Sequence, residues 1–445
     1  MAIISISGIR GVIGRDLALN QIQEHVINFK DMNNRKKIAV GRDTRRTGPM
    51  ITKMIEASLL ADNIEVHSLG VTTTPSIYRY VSNMNLDGGI MITSSHNPSE
   101  WNGLKFIASK GESLSKKGYE YLKEKQKEPA NKESFLRIGR KITVTETGYQ
   151  KNLMNYIDQG IKTKLRIAVD CGGGSASIMI REVLEKIGCE VKMINDKMGI
   201  FNREIDPTSD PLNQLCQLVK EEQHDLGLGF DCDGDRLVTI DEKGNKLTGD
   251  STLLLSLLAC KRTQTINKIA ISVDTSNVIE DFALETGIKI KRTPVGESNV
   301  IQEMIKSRIK FGGEGSSGGF IASDFVKCRD GILASALITQ IISNSEPITN
   351  VLSSFPKYYR EMKRIPICRN KSSKLMEILK EEIKDGEDID GLKISLTKSS
   401  WVLIRSSQTE NILRISSESD TKTKAKKITS EYYQKVKKII EEEKI

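Results

Sequence analysis

Three stretches of the chain repeat one another, and that repetition constrains the fold more than any single motif. KIAVGRDTR at 37–45, RIAVDCGGG at 166–174 and KIAISVDTS at 268–276 each run from a basic residue through a short apolar, β-branched segment into a polar or Gly-rich turn carrying an aspartate. This is the pattern of a buried parallel strand that ends in a functional loop. A helical stretch and a second strand follow each one: NIEVHSLGV at 63–71, GCEVKMIND at 188–196 and GIKIKRTPVG at 287–296. A third strand then enters a loop: GGIMIT before SSHNP, DLGLGF before DCDGDR, and IKF before GGEGSSGG. Ligands of α/β sheets collect beyond the carboxyl ends of the strands, so three such units aim their loops at one cleft.

From about residue 366 the grammar changes. GLKISL, WVLIRSS and ILRISSES read as strands and a charged amphipathic helix ends the chain, which predicts a smaller α+β domain following the segment PKYYREMKRIPI. A chain of 445 residues exceeds one hydrophobic core. The expected architecture is therefore three tandem related α/β domains, at 1–152, 153–252 and 253–364, plus a C-terminal α+β domain at 365–445, around a central cleft.

Bulk properties narrow the setting. No apolar run approaches the roughly 20 residues of a membrane helix, and Arg10 interrupts the N-terminal segment before it forms a signal-peptide core. The seven cysteines are scattered without a CxxC pair, an odd number that argues for reduced thiols and a cytoplasmic location. Most of the net charge of +9 falls in mixed-charge, helix-prone stretches near 110–140 and 422–444, where a solvated face explains it. With 5% aromatics and no zinc or helix-turn-helix pattern, nucleic-acid binding is not expected.

Chemistry concentrates in four loops. GIMITSSHNPSEWNGLKF at 89–106 sets Ser95 and His96 just beyond an apolar strand, where backbone N–H groups can hold a phosphoryl group. A serine hydroxyl is a weak nucleophile, whereas a stored phosphoserine needs only a metal and a proton acceptor, for which Lys105 is the candidate. A plain Ser/Asn-Pro turn capping a helix is the bland alternative. In DLGLGFDCDGDRLVTIDEKG, Asp231, Asp233 and Asp235 alternate on a short loop and can converge on one hard cation such as Mg²⁺, with Arg236 beside them as a fixed phosphate-binding fork. A calcium-binding EF-hand loop fails because Arg236 stands where glycine is required and the flanks read as strands. A phosphatase using an aspartate nucleophile remains the rival reading. GGEGSSGGF at 312–320 offers Glu314 to paired sugar hydroxyls, and RSSQT at 405–409 reads as a phosphate clamp.

Together SGIRG at 7–11, VGRDTRRTG at 40–48, TSSHNP at 93–98, DCDGDR at 231–236, GGEGSSG at 312–318 and RSSQTE at 405–410 resemble the signatures of the α-D-phosphohexomutase family, in order and over essentially the whole chain. The resemblance implies a mutase that shuttles phosphate between the 1- and 6-hydroxyls of a hexose. Ser95 would be the phosphoserine, joining Asp231, Asp233 and Asp235 around one Mg²⁺ per chain, and a sugar 1,6-bisphosphate would be the intermediate. Arg10, Lys105 and Arg236 would flank the transferred phosphoryl, with His96 among the catalytic group. Glu314 and Ser316 would contact the sugar, while Arg405, Ser407 and Thr409 would hold the resident phosphate. The implied partners are small-molecule hexose phosphates, whether the chain is monomer or dimer, with no nucleic acid or membrane. Departures from the pattern fall at Gly318, where relatives often have histidine, at Ser406, Gln408 and Asn411 in the clamp, and in the VGES turn at 295–298.

Overall fold

The computed structural model describes residues 3–5, 8–123, 137–157, 164–343, 346–407 and 411–443. Three sheets share one strand arrangement. In each, the second strand of the repeat lies outside the first, the third lies on the other side of the first, and an antiparallel strand follows the third. In the first unit this order is Glu65–Val71, Lys37–Arg42, Gly88–Ile92 and Trp101–Ala108. The second unit has Glu190–Ile194, Arg166–Asp170, Leu226–Phe230 and Leu237–Ile240; the third has Lys289–Thr293, Lys268–Ser272, Phe311–Glu314 and Gly319–Ala322. The first three strands are parallel in every unit. Parallel order sends the ends of the first and third strands the same way, so the turn at 43–45 and the loops at 93, 231 and 315 all emerge on one side.

The first sheet is widened to seven strands by Ile3–Ser5, Gly8–Val12 and Lys141–Thr143. The strand Gly8–Val12 pairs with Trp101–Ala108, which sets Arg10 opposite Gly103 and two positions from Lys105. The third repeat differs from its sequence reading in register: the strand starts at Phe311 and runs through Glu314, so Glu314 ends a strand rather than sitting within a loop. Close pairing on both sides requires glycines there: a Cβ on Gly312 would lie 2.2 Å from the Ala270 carbonyl oxygen of one neighbouring strand, and one on Gly313 would lie 2.1 Å from the Gly319 carbonyl oxygen of the other.

The second and third units share one core with part of the first. At its centre lies the helix Gly331–Ser343, every residue of which is buried. Its apolar sequence GILASALITQIIS leaves no polar face, the signature of a helix enclosed on all sides. It packs against the helix Gly249–Thr263, whose N-cap Thr248 accepts a hydrogen bond from Ser251 N and whose ends carry Asp250 and Lys261/Arg262 in dipole-matched positions.

The C-terminal unit is a four-stranded antiparallel sheet, ordered Tyr359–Pro366, Ile412–Ser419, Ser400–Ser406 and Leu392–Thr397, with the helices Arg369–Glu382 and Lys422–Glu442 packed on it. Its edge strand Tyr359–Pro366 lies in the segment that the sequence reading placed before this domain. The expected divisions at 152/153, 252/253 and 364/365 fall at positions within the helix Tyr149–Tyr156, the helix Gly249–Thr263 and this edge strand. The C-terminal unit has its own core and meets the third unit through a small apolar cluster of Val273, Trp401 and Leu403. Among the described residues, no helix is long and apolar enough to cross a membrane.

Candidate active site

Ser95 follows the strand Gly88–Ile92 and adopts a left-handed backbone conformation with φ of 50°. Few non-glycine residues do so without support from neighbours. This geometry turns Oγ toward the second unit, where it donates to Asp231 Oδ2 at 3.0 Å across 136 residues of sequence. His96 Nδ1 lies 3.4 Å from the same Oγ. Burial, with Arg236 and Arg10 adding to it, holds the imidazole well below its ordinary range and therefore neutral.

The aspartate loop starts where the strand Leu226–Phe230 ends. Asp231, Asp233 and Asp235 are fully buried, and one oxygen from each lies within 4.8 Å of the others. Lys105, on the strand Trp101–Ala108, bridges Asp233 Oδ2 at 2.7 Å and Asp235 Oδ2 at 2.8 Å. Thr74 Oγ1 donates to Asp233 Oδ2, and Arg236 N donates to Asp231 Oδ1 at 3.2 Å. Burial is the largest influence on all three carboxyls. Added to the negative charges of Asp233 and Asp235, it pushes Asp231 well above the carboxylate range. For Asp235, burial is outweighed by Arg329, Lys105 and Arg236, which hold it well below that range. Burial also disfavours the Lys105 charge, but Asp233 and Asp235 outweigh it and raise the amine above its ordinary range.

The donor set fits a hard divalent cation. Asp233 Oδ1 and Asp235 Oδ1 are buried and accept no hydrogen bond from the described residues, a costly state that a cation relieves. Around the cleft, Asp206, Asp231, Asp233, Asp235, Glu297 and Glu314 face Arg10, Lys105, Arg236 and Arg329. Three carboxylate oxygens with open positions suit Mg²⁺.

Beside the aspartate loop lies a cavity of about 260 Å³ whose wall includes Arg10, His96, Lys105, Arg236, Glu297, Glu314, Arg329 and Arg414. Arg10 Nη1 donates to Asn97 Oδ1 at 3.1 Å in the serine loop, and Arg236 Nη1 donates to Asp206 at 3.1 Å. Glu314 Oε1 accepts from Gly296 N at 2.7 Å. Ser316 turns away: its Oγ donates to Asp274 Oδ2 at 2.8 Å and lines a separate cavity with Asp250 and Arg360. Arg405 pairs with Asp390 at 3.2 Å and sits directly across the strand pair from Arg414, the C-terminal arginine that borders the central cavity. Ser407 is buried beside it; Thr409 lies outside the described residues.

Sequence reading missed Arg329. Its guanidinium reaches Asp235 at 2.9 Å, Glu297 at 3.0 Å and Glu314 at 3.1 Å, so one buried side chain ties the aspartate loop to the third unit's recognition loop. The available signal was a charged RDG triplet immediately before an apolar helix, where a cation has no helical role. Glu297, the acid of the VGES turn, likewise has no role that its sequence neighbours reveal. Replacing Arg329 by Met would leave three buried carboxylates without their common partner. Arg329→Met is expected to lower the unfolding free energy by about 3–5 kcal/mol, measured by urea denaturation without added metal.

Three family models together match most of the chain. Residues 3–132, 147–244 and 248–359 match phosphoglucomutase/phosphomannomutase alpha/beta/alpha domains I, II and III respectively. The chain is 31% identical to a protein of Methanobrevibacter smithii described as "Probable phosphoglucosamine mutase", covering 95% of each chain. It is also 31% identical to the phosphoglucomutase/phosphomannomutase of Thermococcus kodakarensis, covering 98% of this chain and 97% of that protein. Its fold is similar to the crystal structure of a phosphoglucomutase/phosphomannomutase family protein from Burkholderia thailandensis, with a TM-score of 0.83, 22% identity and 97% of each chain covered. The chain belongs to the phosphoglucomutase/phosphomannomutase family, the α-D-phosphohexomutases, which are isomerases that act by phosphoryl transfer.

Proposed function

We propose that this enzyme interconverts hexose 1-phosphates and 6-phosphates with Mg²⁺, through phospho-Ser95 and a sugar 1,6-bisphosphate. The observation that carries the reading is the 3.0 Å contact between Ser95 Oγ and Asp231, which sets a hydroxyl at the mouth of a buried carboxylate cage. Glucosamine, glucose and mannose phosphates are the proposed substrates, being those named by the two relatives. Ser95, Asp231, Asp233 and Asp235 would hold the ion, which when bound neutralises charge building on the phosphoryl oxygens.

The chain's own residues do the rest. Arg10 and Arg236 reach the cavity from opposite units and orient the phosphoryl between serine and sugar. Glu314, fixed by Gly296 N and Arg329, presents its carboxylate to sugar hydroxyls. Arg405, Ser407 and Thr409, with Arg414 alongside, are assigned to the phosphate that stays on the sugar. After one transfer the bisphosphate reverses, and its other phosphate returns to Ser95. The small apolar contact between the third and C-terminal units is suited to hinging, which excludes water while the phosphoryl moves.

Lys105 takes the proton from the attacking hydroxyl in this scheme. Its amine is held as ammonium by two carboxylates, and a divalent ion sharing their charge would weaken that hold. An arginine in its place retains the charge but not the basicity. Lys105→Arg and Lys105→Met are thus expected to lose turnover alike, each by about 10²–10⁴-fold; substantial activity in Lys105→Arg would instead assign the residue a purely electrostatic part.

Ser95→Ala is expected to abolish conversion of glucosamine 6-phosphate, glucose 1-phosphate and mannose 1-phosphate in a coupled assay with Mg²⁺ and a bisphosphate activator. Intact mass should show one phosphoryl group on the wild type and none on the variant. Near-normal turnover by Ser95→Ala contradicts the mechanism, and stoichiometric release of inorganic phosphate by the wild type would indicate a phosphatase.

A further inference from the structure

The mechanism above leaves unused a fully buried arginine. Arg45 is 1% exposed, and all of its guanidinium donors are committed. Nε donates to Asp43 Oδ2 at 3.0 Å; Nη1 donates to the carbonyls of Pro98 at 2.5 Å and Trp101 at 3.0 Å; Nη2 donates to those of Ser95 at 2.7 Å and Asn97 at 2.6 Å. Four of these five bonds end on the backbone of the serine loop. Asp43 holds the same loop from its other side, since Thr93 Oγ1 donates to Asp43 Oδ2 at 2.7 Å and in turn accepts from Ser95 N at 2.8 Å. The N–H and C=O of Ser95, the residue in the left-handed conformation, are therefore both held by a ring that closes through the Asp43–Arg45 ion pair.

The residue between them grips the other half of the site. Thr44 Oγ1 donates to the Gly173 carbonyl at 2.7 Å in the second unit and lies 3.6 Å from Cys232 Sγ, the side chain between Asp231 and Asp233. We propose that Asp43–Thr44–Arg45 is a positioning element that registers Ser95 against the aspartate loop, Arg45 fixing the serine loop and Thr44 fixing the distance to the second unit. The proposal rests on the reading of Ser95 as phosphoryl carrier. A planar fork is needed because four carbonyls must be met at once, and lysine's ammonium offers only three donors from a point. The carbonyls also leave the serine loop's charge unchanged, so Arg45 acts through geometry and not by touching the phosphoryl group.

The test uses the full chain with Arg45→Lys, Arg45→Ala and Thr44→Val. Turnover is normalised to the fraction of molecules that accept phosphate from a sugar bisphosphate, read by intact mass. Arg45→Lys is expected to lose kcat by about a hundredfold with KM little changed, the cost of misplacing a reacting group by about an ångström. Added guanidinium ion should restore part of the kcat of Arg45→Ala, and Thr44→Val should lose kcat in the same direction. Should Arg45→Ala fail to fold, the other two variants decide. Wild-type normalised kcat in both Arg45→Lys and Thr44→Val, whatever their thermal midpoints, would overturn the positioning role while leaving the carrier reading intact. A wild-type protein that never takes up phosphate on Ser95 would remove the carrier reading, and this proposal with it.

Discussion

The structure depends on a buried meeting of charges: Ser95 and Lys105 from the first unit enter the three-aspartate loop of the second, and Arg329 of the third closes it. Desolvating so many ionised groups is unfavourable unless each finds partners at hydrogen-bonding distance. Here the partners of Lys105 and of Asp235 come from other units, while Arg329 also pairs with Glu297 and Glu314 of its own unit. Lys105 requires Asp233 and Asp235, Asp235 requires Arg329, and Arg329 draws in Glu297 and Glu314. The relative placement of three units is thereby fixed by electrostatics at the cleft and by the continuous apolar core beneath it.

The repeated strand order explains how those charges arrive at one place. Each unit ends its first and third parallel strands on the same side, and the antiparallel fourth strand starts from that side. Lys105 lies on that returning strand in the first unit, and Arg236 immediately precedes it in the second. One local topology used three times thus supplies a serine loop, a metal cage and a recognition loop. The fourth unit, attached through few apolar side chains, contributes Arg405 and Arg414 from paired ends of the two central strands of a separate antiparallel sheet.

What could be read from sequence followed physical locality. The three buried strands announce themselves through continuous β-branched runs, and alternating carboxylates on a short loop can do little else than converge. Lys105 was legible because it lies close in sequence to Ser95. Arg329 and Arg45 were not, since their partners are carboxylates and backbone carbonyls distant in the chain, and a carbonyl leaves no mark in the residue letters. The edge strand Tyr359–Pro366 was missed for a related reason: YREMKRIP is largely polar, as an edge strand with few buried side chains can be, and has no apolar run. The resemblance implies a sugar contact for Ser316, and its hydroxyl, on a turn of 3₁₀ helix at Gly315–Ser317, donates to Asp274.

The central claim is that the serine hydroxyl and the aspartate cage form one metal site. Anomalous diffraction from crystals soaked in Mn²⁺, a stand-in for Mg²⁺, tests it directly. The account predicts one strong peak bonded to oxygens of Asp231, Asp233 and Asp235 and within reach of the Ser95 side chain. A peak elsewhere, or an empty cage at saturating Mn²⁺, would contradict it.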